Sequence, residues 1–165
     1  AILANNPDVN LPDAPGNLYS DPVPARLGDG PLRPTVSLTL DKTFGEKRPK
    51  DTATHKYLSL PSKLLSDFHG RPMAYRVGVV LPPGFADEPA RNYGLILDVG
   101  GFGTRYTDAR RVAPDTRFVQ VVPDGAGPFG DPYQVNSANN GPYGDALVAE
   151  VIPHLEKTFR CGGPG

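Results

Sequence analysis

A single cysteine, Cys161, stands among the 165 residues, so the chain can close no internal disulfide and build no zinc site on paired cysteines. A charge excess is also missing. The 17 basic and 18 acidic side chains nearly cancel, which leaves no field to hold a phosphate backbone or an anionic membrane. Nucleic acid and membrane are thereby set aside as partners. No apolar run approaches the roughly 18 residues of a membrane span, and the start "AILANNPDVN" has neither a basic lead nor an apolar stretch long enough for a signal peptide. There is no internal repeat, and no low-complexity tract beyond a proline-rich beginning. What is plentiful is proline, 20 residues, and glycine, 19, near the level at which disorder is considered. Apolar runs farther along argue against disorder throughout. The length suits one main domain plus a remnant, and a start without methionine and an end in "RCGGPG" read as a chain cut at both ends.

Prolines 7, 12, 15, 22, 24, 31 and 34 break residues 1–34, which read as linker and frayed tail. Val36, Leu38 and Leu40 alternate with Thr35, Ser37 and Thr39, the period of a strand with one buried face. Residues 41–54 mix both charges with glycine and proline and read as a loop. Two alternating runs, Lys56 to Leu60 and Met73 to Leu81, predict neighbouring antiparallel strands joined by a polar, hairpin-like segment carrying His69, Gly70 and Arg71. Leu95 to Val99 and residues 117–125 are continuous apolar runs, the pattern of strands covered on both faces. Between them, residues 107–113 suit two helical turns capped by Thr107 or Asp108, making a strand–helix–strand crossover. The last element spans Pro142 to Phe159, where Leu147, Val148, Val151, Ile152, Leu155 and Phe159 form a helical stripe. Pro142 suits its first position and Gly141 or Asn140 its cap, while Pro153 predicts a kink or a break.

Each of the two later strands ends in glycines and small polar residues: "GGFGTRY" after Val99, and "PDGAGPFGDPYQVNSANNGPYG" after Val122. In parallel sheets ligands collect at the carboxyl ends of strands, so both loops are expected to line one crevice; sharp turning alone is the other reading of such glycines. Asp124, Asp131 and Asp145 with Asn136, Asn139 and Asn140 offer oxygens for calcium, but the twelve-residue calcium-loop pattern is unmatched and turn formation explains them better. No metal or other cofactor is implied. Ser137 lies in an amide-rich loop where serine closes turns more often than it attacks. His55, His69 and His154 have no recognisable acid or hydroxyl partner. Cys161 follows Arg160 at a helix carboxyl end, where the dipole opposes a thiolate, and reads as inert.

Four segments in order, "RPMAYRVGVVLPPGF", "YGLILDVGGFG", "FVQVVPDG" and "NSANNGPYGDALVAEVIPHLEKTFR", resemble the amino-terminal half of an esterase family of α/β-hydrolases that includes enterochelin esterase-like and feruloyl esterase-like enzymes. "APGNLYSDPV" is similar to the tail of an accessory β domain that precedes the hydrolase in some members. The resemblance implies an α/β fold, namely a partial α/β-hydrolase with antiparallel strands first and then parallel strands with crossover helices, over residues 55–165, preceded in 1–54 by a linker and accessory β remnant. It implies a serine carboxylic-ester hydrolase acting on a small-molecule ester, with a secreted or periplasmic parent favoured. The family's loop after the first central strand carries a His-Gly pair beside an oxyanion-binding backbone N–H. Here Gly100 and Gly101 take those places, so Gly101 and Phe102 become the candidate oxyanion donors; packing of Phe102 over the sheet edge is the rival reading. Gly103, Ser137, Asn139 and Asn140 become candidate crevice residues. The family's nucleophile sits in G-x-S-x-G, and none of Ser20, Ser37, Ser59, Ser62, Ser66 and Ser137 has that setting. Nucleophile, acid and base are therefore not assigned to this chain, which is expected to be inactive alone and to self-associate through an exposed sheet edge. The alternative function is a non-catalytic module that binds a small, sugar-like ligand.

Overall fold

The computed structural model describes residues 1–24 and 36–163. The chain forms two compact units, Ala1–Lys47 and Arg48–Gly165.

In the first unit, β1 (Ile2–Leu3), β2 (Leu18–Tyr19) and β3 (Lys42–Thr43) make a small antiparallel sheet in the order β1-β2-β3. Prolines cannot donate to a ladder, and side-chain amides supply the missing bonds. Asn17 is fully buried. Its Oδ1 accepts the N–H groups of Asn5 (2.7 Å) and Asn6 (2.9 Å), and its Nδ2 donates to the carbonyls of Leu11 (2.8 Å) and Pro12 (3.1 Å). Asn6 Oδ1 in turn accepts from the backbones of Asp8 and Val9, and the Tyr19 and Phe44 rings stack at 4.2 Å. Residues 1–24 thus carry two short strands and an amide network where a frayed tail was expected; residues 25–34 of that reading lie outside the described ones. The strand expected at 35–40 is also corrected: Thr35 lies outside the described residues, and 36–40 form no strand, with Val36 and Leu38 exposed. The alternation finds no covering face among the described residues, and β2 pairs instead with Lys42–Thr43, inside the predicted loop.

The second unit is a mixed α/β arrangement. Its elements are β4 (His55–Ser62), α1 (Lys63–His69), β5 (Met73–Val80), β6 (Gly94–Leu97), a 3₁₀ helix (Tyr106–Arg111), β7 (Phe118–Pro123), the hairpin β8 (Asn136–Ser137) and β9 (Gly141–Pro142), α2 (Tyr143–Ala146), a π turn (Leu147–Val151) and α3 (Ile152–Phe159). The main sheet runs β4-β5-β7-β6: β4 and β7 are antiparallel to β5, and β6 is parallel to β7. Alternation along β5 splits the core. Tyr75, Val77 and Val79 join Val119 and Val121 of β7 under Leu65, Leu147, Val151, Leu155 and Phe159 of the helices. On the opposite face Tyr57, Val80 and Val122 pack against Tyr106 and Ala109 of the 3₁₀ helix. Gly78 makes that second contact feasible, since a Cβ there would stand 2.1 Å from the Tyr106 carbonyl oxygen.

Several local expectations change. The connection between β4 and β5 is a helix: Ser62 caps it by accepting the Leu65 N–H, and Gly70 ends it at φ 65°. The crossover element is 3₁₀ with Arg105, not Thr107 or Asp108, at the cap position; Asp108, in its first turn, accepts the Arg105 N–H through its carboxylate (3.0 Å). β6, at the sheet's edge, is not covered on both faces: Ile96 is exposed. The last helical run starts at Tyr143, with Pro142 outside it in β9. Pro153 does not split that run into separate helices. The turn before it widens so that the Ile152 N–H reaches the Leu147 carbonyl, five residues back, which relieves the clash a proline brings to an α-helix.

Candidate functional site

Since β6 and β7 are parallel, their carboxyl ends open on the same side, and the two glycine loops leave from there. They meet. Gly125 donates its N–H to the Thr104 carbonyl (2.8 Å), and Gly103 donates its N–H to Asp131 Oδ2 (3.3 Å). Asp131 Oδ1 accepts the Tyr133 N–H (2.8 Å). The approach requires glycine at 125, where a Cβ would stand 2.5 Å from the Thr104 carbonyl oxygen and 2.8 Å from Asp131 Oδ2. Gly103 turns the first loop at φ 80°. Phe102 projects from the tip, 83% exposed, so it does not pack over the sheet. The N–H groups of Gly101 and Phe102 have no acceptor among the described residues.

Beneath this junction lies a buried polar anchor. Asp124, 5% exposed, takes Arg105 through Nε (2.6 Å) and Nη2 (3.3 Å) and Arg76 through Nε (2.8 Å). A buried carboxylate is sustained by such pairing. The Asp124 carbonyl accepts from Gln134 Nε2 (3.1 Å), and Gln134 Oε1 accepts the Tyr75 hydroxyl. Burial raises the pKa of both Tyr75 and Tyr143 above the ordinary tyrosine value, keeping both hydroxyls protonated. Tyr133 and Gln134 are both left-handed, at φ 46° and 55°.

The remaining candidates sit elsewhere. Ser137 belongs to β8, and its Oγ accepts the Asn140 N–H (3.0 Å), closing the hairpin turn. Asn140 is buried; its Oδ1 accepts the Phe129 N–H (3.3 Å), and its carbonyl lies 3.1 Å from His69 Nε2. Asn139 is exposed at the turn. Ser137 lines an open cleft of about 420 Å³ with Phe68, Asn136, Ala138, Gly141 and Pro142, and Asn139 and Asn140 are not in that lining. The structure therefore gathers Gly101, Phe102 and Gly103 at the Asp131 junction, and Ser137, Asn139 and Asn140 in the hairpin, with no hydrogen bond between the two sets among the described residues.

Sequence reasoning missed Gln134 and the joining roles of Asp124 and Asp131. Asp131 does close a turn, but its second oxygen reaches Gly103, and Asp124 is an ion-pair hub. A second missed group comprises Ser62, Glu150 and His154, which line a cavity of about 110 Å³. Ser62 Oγ donates to Glu150 Oε2 (2.5 Å) and accepts from Leu65, while Glu150 Oε1 accepts the Leu64 N–H (2.9 Å). Its hydroxyl is engaged at both ends and only 2% exposed, which makes it a helix cap and not an attacking group. Burial, with the Glu156 charge behind it, pushes the Cys161 thiol up to about 11. No cluster of three His, Cys, Asp or Glu that could hold a metal occurs among the described residues, and no helix among them is long and apolar enough to cross a membrane.

No protein-family model matches the chain, and no curated protein matches it. Solved structures are similar to it, the following two among them. A ferulic acid esterase aligns at 16% identity over 66% of this chain and 46% of its own, with a TM-score of 0.44. The S-formylglutathione hydrolase of Staphylococcus aureus, as apoenzyme, aligns at 19% identity over 67% of this chain and 44% of its own, with a TM-score of 0.38. The chain thus spans less than half the length of each solved chain. Neither alignment bears on which residues react.

Proposed function

We propose that residues 55–165 are the leading half of a serine carboxylic-ester hydrolase of the α/β-hydrolase type, with residues 1–54 the linker and accessory β remnant before it. The observation that carries this reading is the glycine turn: the free N–H groups of Gly101 and Phe102 stand at the carboxyl end of a parallel strand, beside a second loop that reaches the same place. Two such donors suit the oxygen that gains charge as an ester carbonyl becomes tetrahedral. Attack by a serine hydroxyl would form the new C–O bond, a histidine would carry the proton to the departing alcohol, and the turn would hold the oxyanion between. Nucleophile, acid and base are not assigned to this chain, and it does not hydrolyse esters alone.

The edge of β6, unpaired among the described residues over Gly94–Leu97, supports this reading. Tyr93 donates its N–H to the Arg160 carbonyl (2.9 Å) and accepts the Gly162 N–H (3.0 Å), so the segment at Cys161 runs parallel to the start of β6. A strand continued along that edge would end on the side of Gly101 and Phe102, where a nucleophile turn belongs. The test is hydrolysis of short-chain p-nitrophenyl esters. The expected result is no turnover by this chain and turnover by the chain produced with the coding sequence that follows it. An extended chain that has no serine turn and no activity overturns the reading.

One observation favours a second reading, a small-ligand module for a sugar-like molecule. The cleft at Phe68, Asn136 and Ser137 is lined without a charged side chain, suiting a neutral ligand. Glucose titrated into the labelled chain would shift the Ser137 amide on this reading and leave it in place on the first.

A further inference from the structure

Tyr133 and Gln134 both carry a Cβ and both adopt left-handed backbone, a conformation that costs free energy at each position and persists only where the surroundings over-determine it. The determinant is the Gln134 side chain. It is 8% exposed, it donates to the Asp124 carbonyl (3.1 Å), and it accepts from Tyr75, whose ring belongs to the sheet core. What the reversal at 133–134 delivers is the Asp131 carboxylate, whose oxygens take the N–H of Tyr133 (2.8 Å) and of Gly103 (3.3 Å). Asp131 thereby occupies the third amide of the glycine turn and leaves the two before it open. The other end of that loop is pinned by Arg105 on Asp124 (2.6 Å), the residue whose carbonyl Gln134 also holds.

We propose that Gln134 is a positioning residue for the glycine turn, acting through Asp131: the path runs from Tyr75 to Gln134, along the backbone to Tyr133, whose N–H Asp131 accepts, and from Asp131 to Gly103, and it transmits the rigidity of the sheet to the amides of Gly101 and Phe102. The inference rests on reading those amides as oxyanion donors. No ligand touches Gln134 in this role. It sets where the turn stands before substrate arrives, so that little reorganisation is left for the reaction.

The test is amide hydrogen exchange by NMR on the full 165-residue chain. Asp131→Ala removes the acceptor and is expected to speed exchange at Gly103 about tenfold, the factor that one hydrogen bond to a charged group corresponds to. Gln134→Ala and Tyr75→Phe touch neither Gly103 nor Asp131 and are expected to do nearly the same, with the Val121 amide of β7 unchanged. The double variant Gln134→Ala, Asp131→Ala is expected to match Asp131→Ala alone, since a residue acting through another adds nothing once that other is gone. Tyr133→Gly, which adopts the same backbone without strain, should leave Gly103 as it is. Tyr75→Phe keeps the ring and the core, so folding does not confound it. Gly103 exchange unmoved by Tyr75→Phe and Gln134→Ala, or additive effects in the double variant, overturns the proposal. No ester takes part, so failure of the hydrolase reading, seen as absent turnover by the extended chain, is distinct from failure of the positioning role.

Discussion

The two units solve the same problem by opposite means. Among the described residues of 1–47 the interior holds Val9, Ala14 and a buried amide, Asn17, that answers four backbone groups outside the short ladder. In residues 48–165 it is a sheet with apolar clusters on both faces, and the buried carboxylate Asp124 with its two arginines stands at one end of it. The first is specified by hydrogen-bond geometry around one side chain, the second by period and volume. A single atom should therefore matter in both, for different reasons.

The largest effect is expected in the second unit. Gly78→Val would drive a side chain into the Tyr106 carbonyl and separate the 3₁₀ helix from the sheet, at a cost of about 4 kcal/mol, the exceptional end for one substitution; urea denaturation followed at the Tyr57 and Tyr106 resonances checks it. Next is Asn17→Ala, which strands buried backbone groups and should cost about 3 kcal/mol, read as lost exchange protection at Asn5 and Asn6. If Asn17→Ala were silent, the contrast between the units would collapse.

Alkaline pH sharpens the comparison from the apolar side. Cys161 is raised from about 9 to about 11 in the folded chain, so above pH 9 the unfolded state gives up a proton that the folded state keeps. Stability is then full below pH 9 and falls as pH climbs through 11, by about 2 kcal/mol; denaturation midpoints at pH 8 and 11, compared with Cys161→Ala, check the sign. Smaller still is Ser62→Ala, which uncaps α1 and should cost about 1 kcal/mol, seen as fraying of Leu64 and Leu65.

What the sequence disclosed follows the same division. β4, β5 and the final helical run were legible because their apolar residues repeat at periods 2 and 3.6 and the repeat is answered by packing, and β7 because its apolar run is continuous. The alternation at Val36, Leu38 and Leu40 looks the same on paper, yet among the described residues nothing covers it. α1 was missed although its signals were present: Ser62 as cap, Leu64, Leu65 and Phe68 on one side, Gly70 as stop. The glycine turn was legible as a place, since strands that close on glycines announce a loop. Its fittings were not. Asp131 and Gln134 act through a left-handed backbone and through partners up to 59 residues away, and neither leaves a periodic trace. The hairpin residues Ser137 and Asn140 were grouped with that turn because they share the loop's composition, but Ser137 closes the hairpin and the Asn140 side chain holds Phe129, not the glycine turn.

The central claim is that an anion-accepting turn already stands at the end of β6. It is tested most directly by titrating the ¹⁵N-labelled chain with a monoanionic alkyl methylphosphonate, a stable tetrahedral anion. The account predicts saturable shifts at the amides of Gly101 and Phe102, with Ser137 and Asn139 unmoved. Shifts confined to the hairpin, or none at the glycine turn, would contradict it.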